Sequence, residues 1–114
     1  PALVTQSMAE NMIKEGINGS IIQISSTFSV LPMKRHAAYC TSKGALDQLS
    51  RVMALELGSS GIRVNCVQPT VVMTEMGAEE WGDEEKARPM LNNIPLRRFA
   101  QPEEVAKVVL FLAS

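Results

Sequence analysis

The feature that most limits what this chain can become is a short β-branched run, a long amphipathic stretch and a second apolar alternation, in that order. Ile21, Ile22 and Ile24 suit a buried strand that ends at the polar Ser25-Ser26-Thr27. After a loop containing Pro32, apolar side chains recur at Leu46, Leu49, Met53 and Leu57, one face of a helix predicted from Tyr39 to Leu57 and closed by Gly58. Ile62, Val64 and Cys66 then alternate in a second strand that stops before Pro69. Strand, helix and strand of these lengths form a right-handed parallel crossover, so the expected class is α/β, a partial Rossmann-type doubly wound parallel sheet.

The flanking segments fit that reading. Ala2 to Glu15 is predicted as a helix, with Val4, Met8 and Met12 at four-residue spacing and a stop at Gly16 and the Asn18-Gly19 turn. Pro102-Glu103-Glu104 opens a last helix that carries Val105, Val108, Val109 and Leu112. Between them, residues 74 to 96 are acidic and interrupted by Gly77, Gly82 and Pro89, the pattern of short helices in a surface excursion that serves as a lid. Two strands cannot form a covered parallel sheet alone. Residues 1–114 are therefore expected to be one incomplete domain, the catalytic half of a longer fold.

Eleven basic and twelve acidic side chains leave a formal net charge of −1, without a basic run, so nucleic acid is not an expected partner. No apolar stretch has the length of a membrane span, and a cytoplasmic setting is expected. Cys40 and Cys66 belong to no metal-ligand pattern, and no metal is expected.

The chemistry concentrates on three residues. Tyr39 and Lys43 are four apart and share one helix face. Ser26 lies at the carboxyl end of the first strand, where strand end and helix start converge on one crevice. A ketone that accepts hydride develops negative charge on oxygen and needs a proton as it forms. Tyr39 is the candidate acid, Lys43 the cation that favours its ionised form, and Ser26 the hydroxyl that donates to the carbonyl oxygen. Alternation along the strand turns Ser25 to the other face.

At these residues a resemblance becomes specific. Ser26, the run Tyr39-Cys40-Thr41-Ser42-Lys43-Gly44-Ala45 and the strand Arg63-Val64-Asn65 resemble the short-chain dehydrogenase/reductase family over nearly the whole chain. The resemblance implies that Tyr39 exchanges the proton, that Lys43 also binds the nicotinamide ribose, and that Ser26 orients the substrate carbonyl. It implies a nicotinamide-contacting loop at Pro69-Thr70-Val71-Val72-Met73-Thr74, with Val72 and Thr74 at the positions that touch the carboxamide and phosphate region. Thr70 stands where the family more often has glycine, a residue with wider torsional freedom.

Threonine is normal there in the dicarbonyl and L-xylulose reductase subgroup, to which Met53-Ala54-Leu55-Glu56-Leu57-Gly58, Trp81 and Ile94-Pro95-Leu96 are also similar. That likeness implies NADP(H)-dependent reduction of alpha-dicarbonyls and of L-xylulose to xylitol, in a homotetramer built on the helices from Ala2 and Tyr39. His36, Met33, Thr27 and Trp81 are candidate contacts to a small carbonyl or sugar substrate. Arg97 and Arg98 are expected to be structural or solvated.

The seven glycines form no strand, glycine-rich turn and helix of the kind that cradles a pyrophosphate, and the asparagine the family uses is expected upstream of Pro1. The isolated segment is thus expected to bind nicotinamide poorly and to turn over nothing. Two alternatives remain open at this point: reduction of a 3-oxoacyl thioester by the same three residues, and a non-catalytic association module.

Overall fold

The computed structural model describes residues 1–114. Its helices are α1 (Ala2–Lys14), α2 (Ala37–Leu57), α3 (Glu75–Trp81), α4 (Glu84–Asn92) and α5 (Pro102–Ala113), and its strands are β1 (Gly19–Ile24) and β2 (Ile62–Val67). β1 and β2 pair in parallel from Gly19↔Ile62 to Ile24↔Val67, with α2 as the crossover. The expected α/β class and strand-helix-strand unit are therefore present. In-register pairing makes both strands end at one level. Backbone bonds continue past the sheet from Ser25 N–H to Val67 O (2.8 Å) and from Thr27 N–H to Pro69 O (2.9 Å).

Side-chain alternation assigns the helices to faces. Ile21 packs with Ala9, and Gln23 Nε2 donates to Thr5 Oγ1 at 2.8 Å, so this face of β1 meets α1. Ser20, on the opposite face, donates to Leu112 O of α5 at 2.8 Å. Ala9, Ile62 and Val64 form the buried centre, flanked by Met12, Met53, Ala54 and Leu57. The predicted face of α2 is correct: Leu46 is buried and Leu49, Met53 and Leu57 are half-buried.

Two expectations need correction. The stripe of α1 is not Val4, Met8 and Met12, because Val4 and Met8 are exposed while Thr5 and Ala9 are buried beside Met12. Small side chains let the helix backbone approach the sheet, and the Thr5 hydroxyl finds a partner in Gln23. Gly58 follows Leu57 as the C-cap of α2, as expected. Its φ of −58° is right-handed, the chain continues as a 3₁₀ turn over Gly58–Ser60, and the left-handed exit falls on Gly61 at φ 71°. α2 begins, however, at Ala37, two residues before Tyr39.

The excursion from 74 to 96 is more than a surface loop. Its helices α3 and α4 enclose a second core in which Val71, Ala87 and Phe99 are buried against Met73, Trp81, Met90, Leu91 and Ile94. Met73 N–H to Ala100 O (2.9 Å) and Ala100 N–H to Val71 O (3.0 Å) close its two ends together. The chain leaves through Arg97, a non-glycine residue at φ 54°.

Arg98 then makes a bidentate pair with Glu104, 2.8 Å on each arm, and Glu104 also accepts from Gln101 N–H at the start of α5. These bonds hold the Glu104 carboxyl at about 2, the Arg98 guanidinium contributing most and the Gln101 amide next. A depressed carboxylate adds stability above its ordinary value of 4.5 and loses it as pH falls toward about 2. In the full-length protein, Glu104→Gln should flatten the fall of the thermal midpoint across that window. An unchanged acid limb would show that the pair contributes nothing.

Candidate active site

The first turns of α2 carry the central pair. Lys43 Nζ lies 5.7 Å from the centroid of the Tyr39 ring, so the spacing of four places phenol and ammonium together, as expected. Lys43 Nζ also donates to Ile24 O, the last carbonyl of β1, at 2.8 Å. The ammonium is thereby fixed two residues from Ser26 and keeps two further N–H donors. Tyr39 is 40% exposed and open to an incoming molecule.

Ser26 is 3% exposed and starts the 3₁₀ turn Thr27–Ser29, its Oγ accepting from Phe28 N–H at 3.2 Å. That bond uses a lone pair and leaves the hydroxyl proton free to be donated. Ser25 faces the other way, as alternation requires, and donates to Lys43 O at 3.2 Å. Ser25 therefore helps to hold α2, while Ser26 starts the 3₁₀ turn. Thr27 is tied through its backbone to Pro69, which sets the 3₁₀ turn beside the loop from 69 to 74.

That loop has three backbone N–H groups, on Thr70, Val71 and Val72, that donate to no backbone carbonyl. Val72 O accepts from Thr74 N–H, and Thr74 caps α3 by accepting from Gly77 N–H at 3.2 Å. Unpaired amides beside a fixed ammonium fit the carboxamide and ribose hydroxyls of a nicotinamide cofactor. Nothing in this segment fits the pyrophosphate.

His36 precedes α2, its Nδ1 2.9 Å from Lys34 O and its ring 6.4 Å from that of Tyr39 in an edge arrangement. Met33 is half-buried in the preceding turn, where its carbonyl accepts from His36 N–H. Trp81 is held elsewhere, against Phe99 at 6.1 Å between centroids, with Lys86 Nζ above it. Glu80 pairs with Lys86 at 2.8 Å, which holds its carboxyl below the usual range. A groove of about 330 Å³ runs along Phe28, Ser29, Val30, Leu31, Pro32, Cys40, Thr41 and Gly44, beside this site. The larger one, about 410 Å³, follows β2 from Gly61 to Asn65 and lies away from Tyr39.

One buried group was not foreseen. Asp47, one turn after Lys43, is 4% exposed. It accepts from Gln68 Nε2 and, at 3.4 Å, from Cys66 Sγ, while Gln68 Nε2 also reaches Ser29 Oγ at 3.1 Å. Burial pushes the Asp47 carboxyl up, but donors on Ser25, Ser29, Cys66 and Gln68 outweigh it and hold it below the usual carboxylate value. Burial also pushes the Cys66 thiol up; Ser50 opposes this and the Asp47 carboxylate adds to it. The visible signal was a lone acid directly after Leu46 on the apolar face of a helix.

With that geometry in place, the kinship is clear. The profile of the family described as enoyl-(acyl carrier protein) reductase matches residues 1–114. The chain is 51% identical to a human L-xylulose reductase, covering 97% of this chain and 46% of that protein. It is 45% identical to a pig carbonyl reductase [NADPH] 2 over the same shares. A 4-hydroxyisoleucine dehydrogenase complexed with NADH superposes with a TM-score of 0.94 at 30% identity, over 100% of this chain and 47% of that one. The chain belongs to the short-chain dehydrogenase/reductase family, and it spans about half the length of the relatives it matches.

Gly77 is where the loop from Pro69 to Thr74 and α3 meet: a Cβ there would collide with the Val72 carbonyl. Gly77→Ala in the full-length protein should therefore displace the loop and cost about 1–3 kcal/mol in urea unfolding. An unchanged unfolding midpoint would contradict this close approach.

Proposed function

We propose that the protein is an NADP(H)-dependent carbonyl reductase acting on alpha-dicarbonyls and on L-xylulose, with Tyr39 as the proton donor. The observation that carries this reading is the Tyr39–Lys43 pair fastened to the end of β1 beside Ser26. Similarity to a carbonyl reductase and an L-xylulose reductase supports the substrate class, and the NADPH in the former's name supports the phosphorylated cofactor.

When bound, NADP(H) supplies the hydride. Lys43 and the loop carrying Pro69, Thr70, Val72 and Thr74 would hold its nicotinamide end, with the unpaired N–H groups of Thr70 and Val72 among the donors. Ser26 donates its hydroxyl to the substrate carbonyl oxygen and polarises it. Tyr39 delivers the phenolic proton to the same oxygen as negative charge grows there. The ammonium 5.7 Å from the ring centroid then stabilises the charge left on the phenol. Thr27, Met33 and His36 border the substrate.

The domain is completed by residues outside this segment, and the assembly is a cytoplasmic homotetramer. Exposed apolar side chains on α2, Val52 and Leu55 among them, support that assembly. A polypeptide limited to these 114 residues, without a phosphate turn, is inactive; NADPH oxidation by it in the presence of diacetyl would contradict this. The family description names an acyl carrier protein thioester, and with it one second reading stays open, a reductase of acyl thioesters, of which a 3-oxoacyl thioester is the one that offers a ketone to the same three residues.

In the full-length enzyme, NADPH oxidation should be driven by diacetyl and L-xylulose, and Tyr39→Phe should lower the rate about 100-fold or more. An undiminished rate in Tyr39→Phe would remove the proton-donor assignment, and faster turnover of an acyl thioester would move the substrate to the second reading.

A further inference from the structure

Asp47 is a carboxylate that the chemistry above does not use. It is buried, and its hydrogen-bond partners are neutral donors rather than a cation. Taking an acid out of water is costly, and a well-packed apolar side chain would stabilise the helix more cheaply. What the acid does accomplish is geometric. Gln68, through Nε2, joins Asp47 of α2 to Ser29 of the 3₁₀ turn, and Gln68 is the residue immediately before the loop that opens at Pro69. Cys66 adds a bond from within β2. One turn earlier on the same helix, Ser25 Oγ and Ile24 O hold the backbone and ammonium of Lys43. Every buried side-chain polar atom is satisfied, so the network has one arrangement rather than several of equal standing.

We infer that Asp47 is a positioning residue: through Gln68 and Ser29 it sets the cofactor-side loop and the Ser26 turn at a fixed distance from Tyr39. The inference rests on the proposed reductase chemistry and adds to it the element that aligns the three parts. Because a displacement of the order of 1 Å costs about 100-fold in rate, even partial loosening of this link reaches the chemical step.

The test measures kcat with diacetyl and NADPH in the full-length enzyme, per molecule folded by near-ultraviolet circular dichroism, for Asp47→Asn, Gln68→Ala and Asp47→Asn/Gln68→Glu. Gln68 is exposed, so its truncation leaves the fold standing should Asp47→Asn lose it. Gln68→Ala and Asp47→Asn should each lower kcat about 10-fold while the KM for NADPH moves much less. The double variant, which exchanges the acid and the amide, should regain most of the loss. Unchanged kcat per folded molecule in Gln68→Ala would overturn the inference, since a purely structural role alters the amount folded and not its rate. Tyr39→Phe is assayed alongside: if it loses activity while Gln68→Ala does not, only the positioning role fails, and if Tyr39→Phe is fully active the reductase reading itself fails.

Discussion

Parallel pairing of β1 with β2, in register from Gly19↔Ile62 to Ile24↔Val67, is the constraint on which the rest depends. Parallel strands need a crossover, and a crossover helix must begin at the level where the first strand ends. Both strand ends and the amino end of α2 are therefore brought to one edge of the sheet by topology alone. Ser26, Tyr39 with Lys43, and the loop from Pro69 each occupy one of those ends. No long-range pairing of catalytic side chains has to be specified separately.

Topology brings the ends near; polar contacts set the distances. Lys43 is fixed to the Ile24 carbonyl, Ser25 to the Lys43 carbonyl, and Asp47 to Gln68 and Cys66. Two of these bonds join side chain to backbone and two join side chains, across three elements, so no segment can slide along another without leaving a buried group unpaired. The second core around Val71, Ala87 and Phe99 closes the far end of the loop in the same way, by packing and by the Val71–Ala100 and Met73–Ala100 bonds. A site built like this is held at both of its margins.

Periodicity made the strand-helix-strand unit legible, because alternation in Ile62, Val64 and Cys66 and the four-residue steps in Leu49, Met53 and Leu57 report burial directly. The Tyr39–Lys43 pair was legible for the same reason, since a helix turns i and i+4 to one side. What stayed hidden depends on neighbours in space. Hydrophobicity marked Val4 and Met8 as the packed face of α1, but close approach to the sheet favoured Thr5 and Ala9. Gly58 does end α2, but the left-handed exit sits three residues further on, at Gly61. The role of Asp47 was hidden in sequence, because its donors come from residues 19 and 21 positions further along the chain.

In the proposed reaction Ser26 and Tyr39 serve one developing oxyanion and so act as a unit. A double-mutant cycle on kcat/KM for diacetyl, using Ser26→Ala, Tyr39→Phe and both together in the full-length enzyme, addresses it directly. The account predicts strong non-additivity, with the double variant hardly slower than the worse single one. Losses that simply multiply would mean that the two hydroxyls act on separate steps, and the shared crevice would not be the active centre.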